Sequence, residues 1–207
     1  PPQYTLFAKN YVQNGEFDPF DDTRRSVFLK SSVTVVSLVV FGTAGIGILQ
    51  SNLVGLLFSL AALVCFWLFM RRVAGQAAGL LFLFLAAFNY NLLFYGRRPF
   101  LEHSLAFFAF LAAVIIMYAR RNWLMVLAGA SLAVGIFFGK AIGLVLLFPF
   151  LCLFVYRYLF NREDLGRSRV TRPVLFAAGF LVVTVIWFFM TYLPSQAQVS
   201  GYYGEQA

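Results

Sequence analysis

Glu102 is the only acid in residues 73–156, with His103 beside it and Arg97 and Arg98 just before it. A carboxylate in so apolar a stretch is costly unless it is paired or faces water, so an isolated one is a candidate for moving a proton or orienting a hydroxyl. A local role is equally consistent with the spacing, because Arg98 and Glu102 stand at i, i+4, where opposite charges support the start of a helix. The residues alone leave both roles open. Lys140 is the only charge in residues 122–156 and follows Gly139 in a turn. An ammonium there either snorkels to a membrane interface or binds an anionic headgroup such as a phosphate. His103 has no second histidine or cysteine nearby to share a metal, so it reads as a satisfied boundary side chain and the metal requirement stays unknown.

The elements that must position these residues are membrane helices. The chain is 61% hydrophobic and 12% charged, with a mean hydropathy of +0.82, against a charged share of roughly 25% in soluble domains. Residues 31–70 carry no charge; as one helix they would reach about 60 Å, twice the hydrocarbon core of a bilayer. Gly42, Gly45 and Gly47 mark the break. Two partitions fit: residues 29–49 and 51–70 both cross, or an interfacial helix at residues 28–41 precedes one long crossing at 44–70. Further spans are expected at residues 75–95, 101–119, 122–139, 140–160 and 173–193. The fold class is therefore all-α, a polytopic transmembrane helical bundle occupying residues 29–193, with about six spans and, in the second partition, a juxtamembrane helix.

Arg71-Arg72, Arg120-Arg121 and the group Arg157, Arg162, Arg167, Arg169 and Arg172 are each separated by two crossings, so they share one side, which the positive-inside rule makes cytoplasmic. The same parity puts residues 96–103, the Gly139-Lys140 turn and residues 194–207 on the extracytoplasmic face. Residues 1–28 are polar, with turn signals at Asn14-Gly15 and Asp18-Pro19 and one short helix expected around residues 4–12.

The net charge of +8 and pI near 9.8 belong to these loops and to anionic lipid headgroups, and nucleic acid is not an expected partner. Cys65 and Cys152 lie in apolar segments and read as packing residues. No catalytic triad, phosphate-binding loop, CxxC pair or selectivity filter is present, and no inverted repeat supports a transporter.

The order of features resembles the GT-C class of lipid-linked-sugar glycosyltransferases, in the family 39-like branch of protein O-mannosyltransferases and bacterial aminoarabinose transferases. In that branch an Asp-Glu pair in the first external loop is followed by a Tyr, an Ala and a Gly, matched here by Tyr4, Ala8 and Gly15. A Lys with small residues then leads a juxtamembrane helix ending in Phe-Gly, as Lys30-Ser31-Ser32 through Phe41-Gly42 does, with serines where prolines are usual. A span ending in Arg-Arg, an external Arg followed by an acid, and a span ending in a turn with Lys are matched by Arg71-Arg72, by Arg97 or Arg98 with Glu102, and by Gly139-Lys140. Glu stands where Asp is commoner.

The resemblance covers nearly the whole chain, selects the partition with the interfacial helix, and puts residues 1–28 on the extracytoplasmic face. It implies a first span and the catalytic Asp-Glu pair before Pro1, so that the chain is an N-terminal-half portion of the enzyme. The implied activity is transfer of a hexosyl or pentosyl sugar from a polyprenyl-phosphate donor to a protein, lipid or glycan acceptor. The implied setting is the extracytoplasmic face of a prokaryotic inner membrane or the endoplasmic reticulum membrane. Lys140, Arg97, Arg98 and Lys30 would hold the lipid phosphate and sugar. Glu102 would orient the acceptor, assist the missing Asp, or help hold a divalent metal if one is used. The alternative is a non-catalytic subunit or degenerate scaffold packed against other membrane proteins.

Overall fold

The computed structural model describes residues 3–15, 31–89, 96, 98–139, 141–157 and 168–193. Among these the chain is all-helical and holds no strand. The α-helices described are α1 (Gln3–Asn14), α2 (Ser32–Ala44), α3 (Ile48–Ala74), α4 (Gln76–Ala87), α5 (Leu101–Tyr118), α6 (Leu124–Phe137), α7 (Leu147–Val155) and α8 (Ser168–Trp187). A 3-10 segment, Ala141–Leu146, leads into α7, and a π-helical turn, Phe188–Tyr192, extends α8.

Among the described residues three helical stretches are long and apolar enough to cross a membrane: Ile48–Ala74, Leu101–Tyr118 and Val170–Tyr192. The other apolar helices are shorter. At 1.5 Å per residue the 13 residues of α2 reach only about 20 Å. The 12 residues of α4 and the 14 of α6 likewise fall below the roughly 20 that a hydrocarbon core of about 30 Å demands. The described part of the expected span at 140–160 starts as the 3-10 segment rather than as α-helix. There Gly143 packs so close to Leu105 and Ile136 that an added Cβ would collide with both side chains.

The break inside the charge-free run falls where the glycines are. Gly45 adopts φ 82°, a left-handed conformation that favours glycine, and its N–H donates to the Phe41 carbonyl to close α2. Gly75, at φ 91°, separates α3 from α4 in the same backbone region. The start of α2 is set by Ser31, whose hydroxyl accepts from the Thr34 N–H at 3.1 Å. In the polar N-terminal region α1 docks on α2 and α3, burying Ala8 completely and placing the Thr5 and Ser51 hydroxyls 3.2 Å apart.

Side-chain contacts fix the directions of the helices. α4 runs back along α3, with Gly79 against Arg71 and Phe82 against Phe66. α5 runs parallel to α3: Phe58 meets Phe107 and Phe108, and the Tyr118 hydroxyl donates to the Leu68 carbonyl at 3.0 Å. α6 returns along α5, with the Ser131 hydroxyl on the Phe108 carbonyl at 2.9 Å. α8 lies parallel to α6, from Arg172 beside Asn122 to Trp187 beside Phe137. The α6–α8 contact is close because Gly129 faces the Phe176 carbonyl and Gly179 faces the Val126 carbonyl, with no room for a Cβ at either. The main core, with Ile116, Met125, Leu132 and Ile136 at its centre, lies between α5, α6 and α8.

Candidate functional site

One end of the bundle gathers the starts of α2 and α5, the end of α6 and the loop before α5. Ser32 joins α2 to α6, its N–H donating to the Phe138 carbonyl at 2.7 Å and its hydroxyl to the same oxygen at 3.2 Å. Val33, Val54, Phe58 and Leu101 form a small buried cluster beneath this junction. Gly139 packs against the Ser104 hydroxyl, and the Gly96 carbonyl accepts from the Ser59 hydroxyl at 2.7 Å.

Glu102 stands in the first turn of α5 at this end, exposed. The partial positive charge of a helix N-terminus favours a carboxylate there. The turn is prepared by buried Pro99, with no side-chain cap at Phe100. The Nδ1 atom of His103 is 3.1 Å from the Arg98 carbonyl oxygen. A carbonyl only accepts, so Nδ1 carries the proton in this contact. Among the described residues Glu102 is the only acid, and no three His, Cys, Asp or Glu side chains there come together as a metal site.

A groove of about 620 Å³ runs from Glu102 along the bundle between α3, α5 and α7. Its floor is a helical stripe on α5, Leu105, Ala106, Ala109, Phe110 and Ala113, which continues Glu102 at intervals of three and four residues. Phe69 and Val73 of α3 form one wall, and Phe150, Leu153 and Tyr156 belong to the other. The alanines give the groove its depth. A largely apolar trough of this size with a carboxylate at one end has the form of a site that buries the hydrocarbon part of a ligand and presents the rest to the charged group.

Of the residues singled out in the sequence, Glu102 and Arg98 are placed at this end. Lys30, Arg97 and Lys140 lie outside the described residues. Their described neighbours, Ser31 and Ser32, Gly96 and Arg98, and Gly139, all belong to the end that carries Glu102. The groove itself is absent from the sequence reading; the stripe that continues from Glu102 was its only signal, and apolar spacing of that kind looks the same in any packed helix.

The opposite end carries the arginines. The Arg71 guanidinium lies over the Trp67 ring at 5.8 Å and that of Arg72 over the Tyr118 ring at 5.9 Å. Arg172, only 4% exposed, donates from Nε to Asn122 Oδ1 at 2.8 Å and from a terminal nitrogen to the Arg120 carbonyl at 3.1 Å. Arg71, Arg72, Arg120 and Arg172 therefore meet at one end, and Glu102 is at the other. No known protein family, curated protein or solved structure matches the chain.

Proposed function

We propose that the chain is the membrane part of a glycosyltransferase that uses a polyprenyl-phosphate sugar as donor and acts on the extracytoplasmic face. The observation that carries this reading is the apolar groove of about 620 Å³ ending at the single described carboxylate. The isoprenoid chain would lie in the groove, and the sugar phosphate would emerge at the end where α5 begins. In this proposal the bundle crosses the membrane six times, α2 lies in the interface, and the arginine end is cytoplasmic. The shorter helices are accommodated by local thinning of the bilayer.

Transfer to a hydroxyl needs a carboxylate to take or direct a proton and cations to offset the charge that develops on the departing lipid phosphate. Glu102 supplies the carboxylate in this chain. Arg97, Arg98, Lys140 and Lys30 are the cations proposed for the phosphate, on the resemblance and on where their described neighbours lie. A single displacement of this kind inverts the anomeric centre.

The test is transfer of labelled sugar from a polyprenyl-phosphate donor by membranes containing the full-length protein. Glu102→Gln keeps the shape and removes the charge, and it should lower transfer by about 100-fold or more while leaving expression and elution unchanged. Undiminished transfer would remove Glu102 from the reaction. Absence of transfer by the unaltered protein with mannosyl, glucosyl and aminoarabinosyl donors would leave the scaffold reading in its place.

A further inference from the structure

The groove that starts at Glu102 has a definite length and width. Glu102 is the second residue of α5, and the far end is lined by Val73. Val73 follows Arg72, whose guanidinium lies over the ring of Tyr118, the last residue of α5. At 1.5 Å per residue the rise from Glu102 to Tyr118 is about 24 Å. Spread over that length, 620 Å³ gives a cross-section of about 26 Å², a furrow about 6 Å wide. A helix, roughly 10–12 Å across with its side chains, does not enter it. A phospholipid does not fill it either. One leaflet supplies about half of a hydrocarbon core of about 30 Å, so an acyl chain ends roughly 9 Å short of the far end and its second chain stays outside.

Volume and length agree on one kind of chain. A dry apolar cavity of roughly 150 Å³ holds benzene, about 25 Å³ per carbon, so 620 Å³ takes about 25 carbons, or about five isoprene units. An extended chain advances roughly 1.2 Å per bond, and an isoprene unit has four main-chain bonds, so five units reach about 24 Å. The floor repeats at nearly the same interval. Ala106, Ala109 and Ala113 stand about 4.5 and 6 Å apart along the axis, close to the roughly 5 Å of one unit. An isoprenoid carries one methyl branch per unit, so successive branches meet successive alanines. A straight acyl chain has no feature at that spacing.

We infer that the groove gauges a branched, single-chain lipid: it takes the first five or so isoprene units of a polyprenyl phosphate, counted from the Glu102 end, and leaves further units in the bilayer. The direction of counting rests on the proposed function, in which the phosphate lies where α5 begins. The length, width and alanine spacing do not.

Polyprenyl monophosphates of two, three, five, seven and eleven units, titrated into the full-length protein in detergent and read by native mass spectrometry, test it. Affinity should rise about twofold per unit up to five units, because in detergent the gain comes from packing and not from leaving water, and by less than about twofold in total from five to eleven. Eicosyl phosphate, with the main-chain length of the five-unit ligand and none of its branches, should bind about fivefold more weakly. Ala113→Leu should move the plateau from five units to about three, and Val73→Trp to about four, each leaving the two-unit ligand within about twofold. Val73 is 41% exposed, so it can be enlarged without entering the core. Affinity that is flat from two units, or that keeps rising to eleven, overturns the inference. So does equal binding of eicosyl phosphate, or equal loss of the two-unit and five-unit ligands in both variants with native helicity and elution. A plateau at five units in a protein that transfers no sugar supports the gauge and counts against the enzyme reading alone.

Discussion

Replacing Arg172 should loosen the attachment of α8 to the turn between α5 and α6. Its guanidinium spans two partners that approach from different parts of that turn, the Asn122 side chain at 2.8 Å and the Arg120 carbonyl at 3.1 Å. Hydrogen bonds from a charged donor contribute about 1.5–3 kcal/mol each in soluble proteins, whereas interhelical hydrogen bonds in a bilayer average about 0.6 kcal/mol. A side chain 4% exposed at the edge of the apolar region belongs between these limits, so loss of both bonds in Arg172→Gln should cost about 2 kcal/mol. Arg172→Lys keeps the charge and much of the stem but not the planar fork, and should lose about half of that. Asn122→Ala removes one partner only, so a double-mutant cycle with Arg172→Gln should return a coupling of about 1 kcal/mol. The assay is unfolding in mixed micelles with increasing dodecyl sulfate, followed by helicity. A stability within about 0.3 kcal/mol of wild type for Arg172→Gln, or strict additivity with Asn122→Ala, would refute the clamp.

Three further outcomes follow from the packing. Gly129→Val and Gly179→Val put side-chain atoms where the α6 and α8 backbones touch, and in the same titration each should destabilise by about 1–3 kcal/mol. Ala106→Phe fills the floor of the large groove and should raise the KM for a polyprenyl donor while leaving kcat nearly unchanged; a fall in kcat alone would place the donor elsewhere. Tyr118→Phe removes the hydroxyl that donates to the Leu68 carbonyl and should cost about 0.5–1.5 kcal/mol, read as a shift in the same dodecyl sulfate midpoint.

The all-helical character and the position of the break at Gly42–Gly47 are legible in the sequence because both rest on local properties, the absence of charge and the backbone preference of glycine. Helix length is less legible. Hydropathy counts apolar residues and does not see where hydrogen bonding changes type. The apolar run at 75–95 thus contains an α-helix ending at Ala87, where Phe88 turns out of helical geometry with ψ near 0°. The gathering of Arg71-Arg72, Arg120-Arg121 and Arg172 at one end follows from counting crossings, yet the bonds that tie Arg172 to Asn122 and Arg120 join residues about 50 positions apart and leave no trace in spacing. Glu102 stands out in the sequence because it is a lone charge. The groove beside it does not, since Ala106, Ala109 and Ala113 become its floor only when α3 and α7 stand on either side.

The parallel pairing of α3 with α5 bears on how the chain is made. Synthesis delivers the N-terminal helix first, and the contact between Leu68 and Tyr118 cannot form until a further 50 residues have left the ribosome. During that interval α3 must reside in lipid without its eventual neighbour. Its apolar window has the higher mean hydropathy, 2.5 against 1.8 for α5, so the helix that waits without this neighbour is the one that lipid accepts more readily. The less apolar α5, with Glu102 and His103 in its opening turn, arrives when a protein surface is already there to receive it.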